Sequence, residues 1–557
     1  MAESILTGGT VSPVLSGAQW SRLVTYGTEI RPAAGDVLFD AGRQWYPLVL
    51  VEDGMVDVVR PRTSHLDERF VASYGPRTFV GEFGALSGQR AFLTARVRSI
   101  GRMLQVERYR LRDLMSDDDE LAEILLRTLW ERRELLTRGP AALTMQIVGP
   151  PRSKEILALR TFASRFRLPH VWSDYATDDP RNEEFGISKA DLPIVLVQGE
   201  PIRMATPGVV SERLGLSYAE AESATVDLAV VGAGPAGLAA AIYGASEGLS
   251  TVVLDAIAPG GQAALTSRIE NYLGFPYGIS GAELMSQAQL QAVKFGVRVF
   301  APCTVASLQE DADGIVLPLT DGARVHARAV VIATGASYRG LALDRWGAFE
   351  GAGIFYAATP LEAKQVEGSA VVVIGGANSA GQAALFLASN SCQVHLVVRG
   401  VSLDTSMSTY LVDRLVDNPR VTIHLETQVV KVGGDEQLDG VVLSTGETMS
   451  CRGVFCFIGA EPASDWLTDL DTDAHGFIIT GTDLPASKGG SYSLLGRDPL
   501  PFETSIPSVF AAGDVRLGSM KRVAAAAGEG SSAVASVHRA LATRLRSGTG
   551  LRIAETG

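Results

Sequence analysis

Two glycine-rich turns, GAGPAG at Gly232–Gly237 and GGANSA at Gly375–Ala380, are the residues of this chain whose types and spacing point most directly to chemistry. Each follows a short apolar strand, VDLAVV or SAVVVI, and opens an alanine-rich helix. About twenty residues beyond each turn a second strand ends on a polar residue, Asp255 in the first case and Arg399 in the second. Gly232, Gly234 and Gly237, with Pro235 and Ala236 between them, permit a tight turn and close backbone approach to a pyrophosphate at a helix N-terminus. Gly375, Gly376, Asn378, Ser379 and Ala380 repeat the arrangement, with Ala377 in place of the middle glycine. Asp255 suits the hydroxyls of an unmodified ribose, and Arg399 suits a ribose 2′-phosphate. Two dinucleotide sites in one chain imply a flavin that takes hydride from a reduced nicotinamide, NADPH in preference to NADH.

The elements that must position these residues set the architecture. At 557 residues the chain exceeds one core. The expected fold is multidomain α+β and α/β: an N-terminal β-roll with helices, a thioredoxin-like α/β/α module, and two Rossmann-like dinucleotide-binding domains. A net charge of −13 excludes a broad nucleic-acid-binding surface. No apolar run reaches membrane-spanning length, and the start MAESILTGGTVSP lacks the pattern of a signal peptide, so a cytoplasmic protein is expected. Cys303, Cys392, Cys451 and Cys456 form no Cys-x-x-Cys and read as small buried hydrophobes. MSCRGVFCF reads as one strand, with Cys451 and Cys456 on opposite faces. The seven histidines show no metal-binding spacing and read as surface or structural, and no metal site is expected.

The first segment, 1–142, alternates short β-type stretches with turns, then opens a helix at the acidic run DDDE. It resembles the cyclic nucleotide-binding domain family. Gly81 and Glu82 match the start of that family's phosphate cassette, and Thr94 and Ala95 match its end, which implies Gly81, Glu82 and Thr94 as effector contacts. Leu93 stands where the family has its phosphate-clamping arginine, and leucine offers a phosphate nothing. A cyclic nucleotide, a different small effector, or none is therefore the expectation. The second segment, 143–220, reads β-α-β-α-β-β-α, including a short helix near 182–185. It resembles the thioredoxin/glutaredoxin fold, with Leu192-Pro193 at that family's cis-proline and no cysteine in the turn Gly149–Ser153. Thiol exchange needs a sulfur, so a docking or spacer role is expected.

The third segment, 221–557, resembles low-molecular-weight thioredoxin reductases and their pyridine nucleotide–disulfide oxidoreductase relatives. It divides into an FAD domain (225–336 and 464–550) and an inserted NAD(P) domain (337–463). After Asp255 come Gly260-Gly261-Gln262 and the run Ile269–Phe275, the strand AVVIATG ending at Thr334-Gly335, then VFAAGDVR and KRVAAAAGEG. The resemblance implies Gly261, Gln262, Asn271, Thr334 and Gly335 along the flavin and Gly513 and Asp514 at the ribityl hydroxyls. It further implies Arg522, Val523 and Ala524 at the pyrimidine edge, where a helix N-terminus meets the negative charge of a reduced ring. It also implies a homodimer.

The family's Cys-Ala-Thr-Cys is replaced here by Ala357-Ala358-Thr359-Pro360. The reading is therefore an FAD-dependent NAD(P)H oxidoreductase that is not a thioredoxin reductase. It passes electrons to an external acceptor, whether a small molecule, oxygen or a redox protein. A non-catalytic nucleotide or redox sensor built on the same scaffold is the alternative.

Overall fold

A computed structural model describes residues 12–554, except 65, 139, 152, 176–185, 219–224, 267, 312–313, 436, 486–491 and 493–494. The short helix expected near 182–185 and part of the loop 487–501 lie outside the described residues.

Short, alternating strands in the first region build two four-stranded antiparallel sheets. One runs Thr28–Ile30, Met103–Val106, Leu48–Val51, Thr78–Val80, and the other Val37–Phe39, Thr94–Ser99, Met55–Arg60, Arg69–Tyr74. The helix Asp119–Leu136 starts where Asp118 accepts a hydrogen bond from the Leu121 amide at 3.1 Å, satisfying a free helix N–H. Its buried Arg132 donates to the carbonyls of Phe79 and Gly81 at 3.0 and 3.1 Å, which ties the helix to the strands. Four strands of the middle region pair in the order Val171–Ser173, Met145–Val148, Ile194–Val197, Glu200–Ile202, the first pairing parallel and the others antiparallel. The Leu192–Pro193 peptide is cis. Ile147, Ile156, Leu159 and Val195 of the middle region share one hydrophobic core with Leu48, Phe79 and Leu129 of the first. The two regions are therefore packed as one body.

Beyond residue 225 the strands become continuous apolar runs, as parallel sheets covered on both faces require. A seven-stranded sheet carries Arg298–Phe300, Thr251–Leu254, Val226–Val231 and Arg324–Ile332 in that order, mutually parallel, and Val509–Ala511 joins Arg324–Ile332. The helices Pro235–Ser246 and Val523–Ala554 pack together over one face, where Ala236, Ala240 and Ala241 meet Ala533, Val534 and Val537. A second, five-stranded parallel sheet runs Ile354–Phe355, Gly453–Cys456, Ala370–Ile374, Gln393–Val397, Val421–His424. The chain passes between these halves twice, and the two crossings, Ala336–Tyr338 and Ala460–Pro462, pair as an antiparallel ribbon.

The expectation for MSCRGVFCF is corrected. Thr448–Ser450 closes a three-stranded antiparallel sheet, whereas Gly453–Cys456 enters the five-stranded one. The Arg452 amide donates to the Ala370 carbonyl at 2.9 Å and begins the new pairing. Cys451 and Cys456 consequently lie in the same hydrophobic cluster rather than on opposite faces of one strand. All four cysteines are free and buried.

Two histidines pair across adjacent parallel strands: His395 Nδ1 lies 3.1 Å from His424 Nε2. Burial first, and then the charge of His424, lower the His395 pKa below 6.5, with Glu447 opposing. The unfolded chain then holds more protons than the folded one just below pH 6.5, so stability rises with pH through that window and is lost on acidification. Amide protection factors, taken relative to the intrinsic exchange rate at each pH, should fall in the strands Gln393–Val397 and Val421–His424 between pH 7.5 and 5.5, and His395→Gln should flatten that dependence. An exchange profile insensitive to both changes contradicts the assignment. No helix among the described residues is long and apolar enough to cross a membrane, and no cluster of potential metal ligands occurs among them.

Candidate dinucleotide sites

The first turn is held by backbone contacts that leave no room for side chains. Gly232 takes φ of +105°, in the left-handed region. A β-carbon on Gly237 would overlap the Gly232 carbonyl oxygen, and one on Gly530 would overlap that of Ala236. Gly234, by contrast, faces open space, its nearest neighbour being Gly261 Cα at 3.8 Å from a β-carbon. Gly234 is also the N-cap of the helix Pro235–Ser246 and makes no side-chain cap, so the first helical amides remain available to an anion. Gly513 packs against Ala236, where a β-carbon would come within 2.8 Å of the Ala236 Cβ. The fold thus brings Gly232, Gly234, Ala236, Gly237, Gly261 and Gly513 together around one cradle.

Asp255 follows the second strand and fastens the cradle. Its carboxylate accepts from the amides of Ala233 at 2.7 Å and of Ile257 and Ala258 at 2.9 Å. A carboxylate has about four acceptor positions, so about one remains for a ribose hydroxyl. Gln262 donates its side-chain amide to the Ala336 carbonyl, and Thr334 donates to the Ala463 carbonyl at 2.8 Å. Gly335, at φ +70°, accepts from the Ala463 amide. Gln262, Thr334 and Gly335 therefore sit at the double crossing between halves. Asn271 is exposed in the same loop as Leu273 and Tyr277.

Asp514 follows the strand Val509–Ala511. Burial raises its carboxyl pKa, Lys521 lowers it, and no hydrogen bond contributes. A shielded carboxyl with no hydrogen-bond donor among the described residues fits a hydroxyl-bearing ligand. Val523 is the first residue of the helix Val523–Ala554, with Arg522 exposed just before it and Ala524 in its first turn. The sequence reading missed Glu529, which accepts from the Gly513 amide at 2.8 Å and takes Arg516 in a two-pronged ion pair at 2.8 and 3.1 Å. Its signal was a lone acid flanked by glycines in a helix of small residues. Tyr338 was missed too. Burial pushes its hydroxyl up to about 12, Arg165 opposes this, and Asp514 adds to it. Arg165 reaches across from the helix Lys154–Arg165 and donates to the Ala258 carbonyl at 3.3 Å. No local pattern announces it, because the contact joins segments far apart in sequence.

The second turn is built alike. Gly375 has φ +142°, and Ala377 is the N-cap of the helix Asn378–Ser389 without a side-chain cap. Two residues not anticipated brace it: Ser406 donates to the Gly376 carbonyl at 2.8 Å, and the Ser408 amide donates to Asn378 Oδ1 at 2.7 Å. Ser379 is exposed in the first helical turn, Ala380 is buried, and Arg399 is exposed just beyond the strand Gln393–Val397. Ala357 and Ala358 are buried, and Thr359 leads into the helix Pro360–Gln365, with its amide bonded to Glu362 at 3.0 Å. Nearby, Tyr356 stacks on Tyr338 with rings 6.0 Å apart and accepts from Trp346 at 2.8 Å. Burial pushes the thiols of Cys303, Cys451 and Cys456 up to about 12.

In the first region Glu82 is buried and accepts from the amides of Phe92 and Leu93 at 3.3 and 3.0 Å. Burial raises its pKa, while Arg133 and those two amides pull it down. Thr94 accepts from the Ala41 amide at 3.1 Å, and the Gly81 carbonyl accepts from Arg132.

Comparison with known proteins is consistent with this geometry. A family model described as pyridine nucleotide-disulphide oxidoreductase matches residues 226–530, more than half of the chain. A thioredoxin reductase of Treponema pallidum is 32% identical over 55% of this chain and 93% of its own length. NADPH-dependent thioredoxin reductase 3 of Arabidopsis thaliana is 33% identical over 57% of this chain and 58% of its own. The crystal structure of T. acidophilum thioredoxin reductase aligns with a TM-score of 0.50 at 28% identity, covering 57% of this chain and 98% of that one. These relatives overturn the sequence-based exclusion of a thioredoxin reductase, which had rested on one local motif.

Proposed function

The chain belongs to the pyridine nucleotide-disulphide oxidoreductase family and is an FAD-dependent NAD(P)H oxidoreductase, and from that premise we propose that it takes electrons from NADPH and delivers them to the disulfide of a thioredoxin-class redox protein. The observation that carries this reading is the pair of sheets in which a parallel strand (Val226–Val231 in one, Ala370–Ile374 in the other) ends in a left-handed glycine turn before an uncapped helix. FAD, when bound, supplies two-electron acceptance from a nicotinamide and donation to a disulfide. Gly232, Gly234, Pro235, Ala236 and Gly237 would hold its pyrophosphate, Asp255 a ribose hydroxyl, and Asp514 with Gly513 the ribityl chain. Gly261, Gln262, Asn271, Thr334 and Gly335 would line its length. The amides of Val523 and Ala524, with Arg522, would face the ring edge that becomes negative on reduction.

Gly375, Gly376, Asn378, Ser379 and Ala380 would take the nicotinamide dinucleotide, with Arg399 at the 2′-phosphate. Arg399→Ala should raise the KM for NADPH about tenfold, the loss of one charge-assisted bond, and leave the KM for NADH unchanged. Equal effects on both coenzymes would remove Arg399 from that role.

The domain division 1–142, 143–220 and 221–557 is proposed on the same footing. Two packed antiparallel sheets support a cyclic nucleotide-binding-like first domain, with Gly81, Glu82 and Thr94 as its effector contacts. The strand order supports a thioredoxin-like second domain.

The test uses the full chain purified with FAD. Anaerobic NADPH should bleach the flavin band, and oxidised thioredoxin should restore it with one disulfide reduced per NADPH consumed. A flavin that NADPH does not bleach rejects the activity. A bleached flavin that thioredoxin leaves reduced rejects the partner.

A further inference from the structure

Arg165 ends the helix Lys154–Arg165 of the middle region, yet its guanidinium lies against the flavin half, where it donates to the Ala258 carbonyl at 3.3 Å. The Ala258 amide donates in turn to Asp255 at 2.9 Å, and the same carboxylate accepts from the Ala233 amide inside the first glycine turn. The chain from Asp255 then folds back onto that turn. The Gly260 amide donates to the Ala233 carbonyl at 2.8 Å, and Gly261 lies beside Gly234. Arg165 is therefore fastened to the loop that borders the uncapped N-terminus of the helix Pro235–Ser246.

Its charge is unmatched there. A guanidinium has five N–H donors, and among the described residues Arg165 spends one of them and makes no ion pair. Arg516, another arginine of the cradle, is by contrast taken by Glu529. Burial lowers the Arg165 pKa, while Asp255, then Tyr338 and Glu362, raise it. Tyr338 feels both Arg165 and Asp514. Arg165 thus lies among the groups that run from Asp255, at the ribose position, to Asp514, at the ribityl position. In FAD the pyrophosphate joins those two sugars and carries the charge of the oxidised cofactor. A half-buried cation with unspent donors is costly until an anion meets it.

We propose that Arg165 completes the FAD site from the middle region, its guanidinium meeting the pyrophosphate alongside the first amides of the helix Pro235–Ser246. A guanidinium fork matches phosphate oxygens in pairs. Residue 165 lies outside 226–530, the span matched by the family model, so this contact belongs to the added region and not to the shared reductase fold. Leu157 of the same helix packs against the core of the nicotinamide half. Docking of the middle region and retention of FAD are thereby coupled. Arg165 takes this role whatever the electron acceptor, because it rests only on the FAD site described above.

The test is dilution of the FAD-loaded full chain, with released flavin read by its fluorescence after ultrafiltration. Arg165→Ala should raise the Kd for FAD at least about tenfold, the loss of a charge-assisted contact. Arg165→Gln keeps an N–H for the Ala258 carbonyl but no charge, and should behave as Arg165→Ala does. Arg165→Lys keeps the charge without the fork and should recover part of the affinity. Arg160→Ala, on the same helix but stacked 5.0 Å from the Trp172 ring, should match the parent. Parental affinity in Arg165→Ala or Arg165→Gln overturns the proposal, the second by reducing Arg165 to a pin on the Ala258 loop. Arg165→Lys no tighter than Arg165→Gln overturns it as well. Bleaching of the retained flavin by NADPH is followed separately, so its failure in the parent would reject the oxidoreductase reading and not the role of Arg165.

Discussion

Replacing Gly237 by alanine should lower the flavin content of the purified chain. The added methyl group would overlap the Gly232 carbonyl oxygen, which is backbone and has no rotamer by which to yield. The helix Pro235–Ser246 would have to withdraw from the strand Val226–Val231, taking with it the amides that point to the pyrophosphate position. Each 1.4 kcal/mol of lost affinity is a factor of about ten, and overpacking at a close contact costs about 1–3 kcal/mol, so FAD affinity should fall about tenfold to a hundredfold. The flavin-to-protein absorbance ratio after gel filtration reads the effect directly. Gly528→Ala is the control: it lies in the helix Val523–Ala554 with nothing within 4 Å of an added β-carbon, and it should keep its flavin. A yellow Gly237→Ala protein with parental FAD affinity would contradict the close-packed cradle.

Arg497→Ala should lower stability by about 3–5 kcal/mol, the usual cost of removing one partner from a buried ion pair. Glu503 is 0% exposed and receives Arg497 in two bonds of 2.6 and 2.8 Å, together with the amides of Leu500 at 2.8 Å and Ser508 at 2.9 Å. Without the guanidinium a full negative charge remains enclosed beside the strand Val509–Ala511, which leads to Asp514. The flavin half should therefore release FAD at a lower urea concentration than the parent. Adding Glu503→Gln to Arg497→Ala should recover part of the loss, since the orphaned charge is removed. A single variant within about 1 kcal/mol of the parent would show that water reaches Glu503.

Much of the catalytic half was legible because its signals are local. The turn at Gly232, its strand and helix, and Asp255 all fall within about thirty residues, the length of one βαβ unit. The same holds for Gly375 to Arg399. What escaped was long-range. The strand break in MSCRGVFCF depends on which sheet offers the next free edge, and no residue between Cys451 and Cys456 records that. Arg165, the Arg516–Glu529 pair and Ser406 act on segments distant in sequence, so periodicity could not find them. The exclusion of a thioredoxin reductase failed for the opposite reason. Two missing cysteines at 357–360 outweighed a similarity that extends over more than half of the chain.

The order in which these pieces leave the ribosome has a consequence of its own. The five-stranded sheet is complete once Cys456 has emerged, and all its strands come from one uninterrupted stretch. The seven-stranded sheet waits for Val509–Ala511, and the helix Pro235–Ser246 stays uncovered until Ala533, Val534 and Val537 arrive. Nascent chains should therefore acquire the coenzyme-facing half during translation and become competent for FAD only near termination. Truncation shortly before Val509 would then yield a polypeptide that cannot retain flavin.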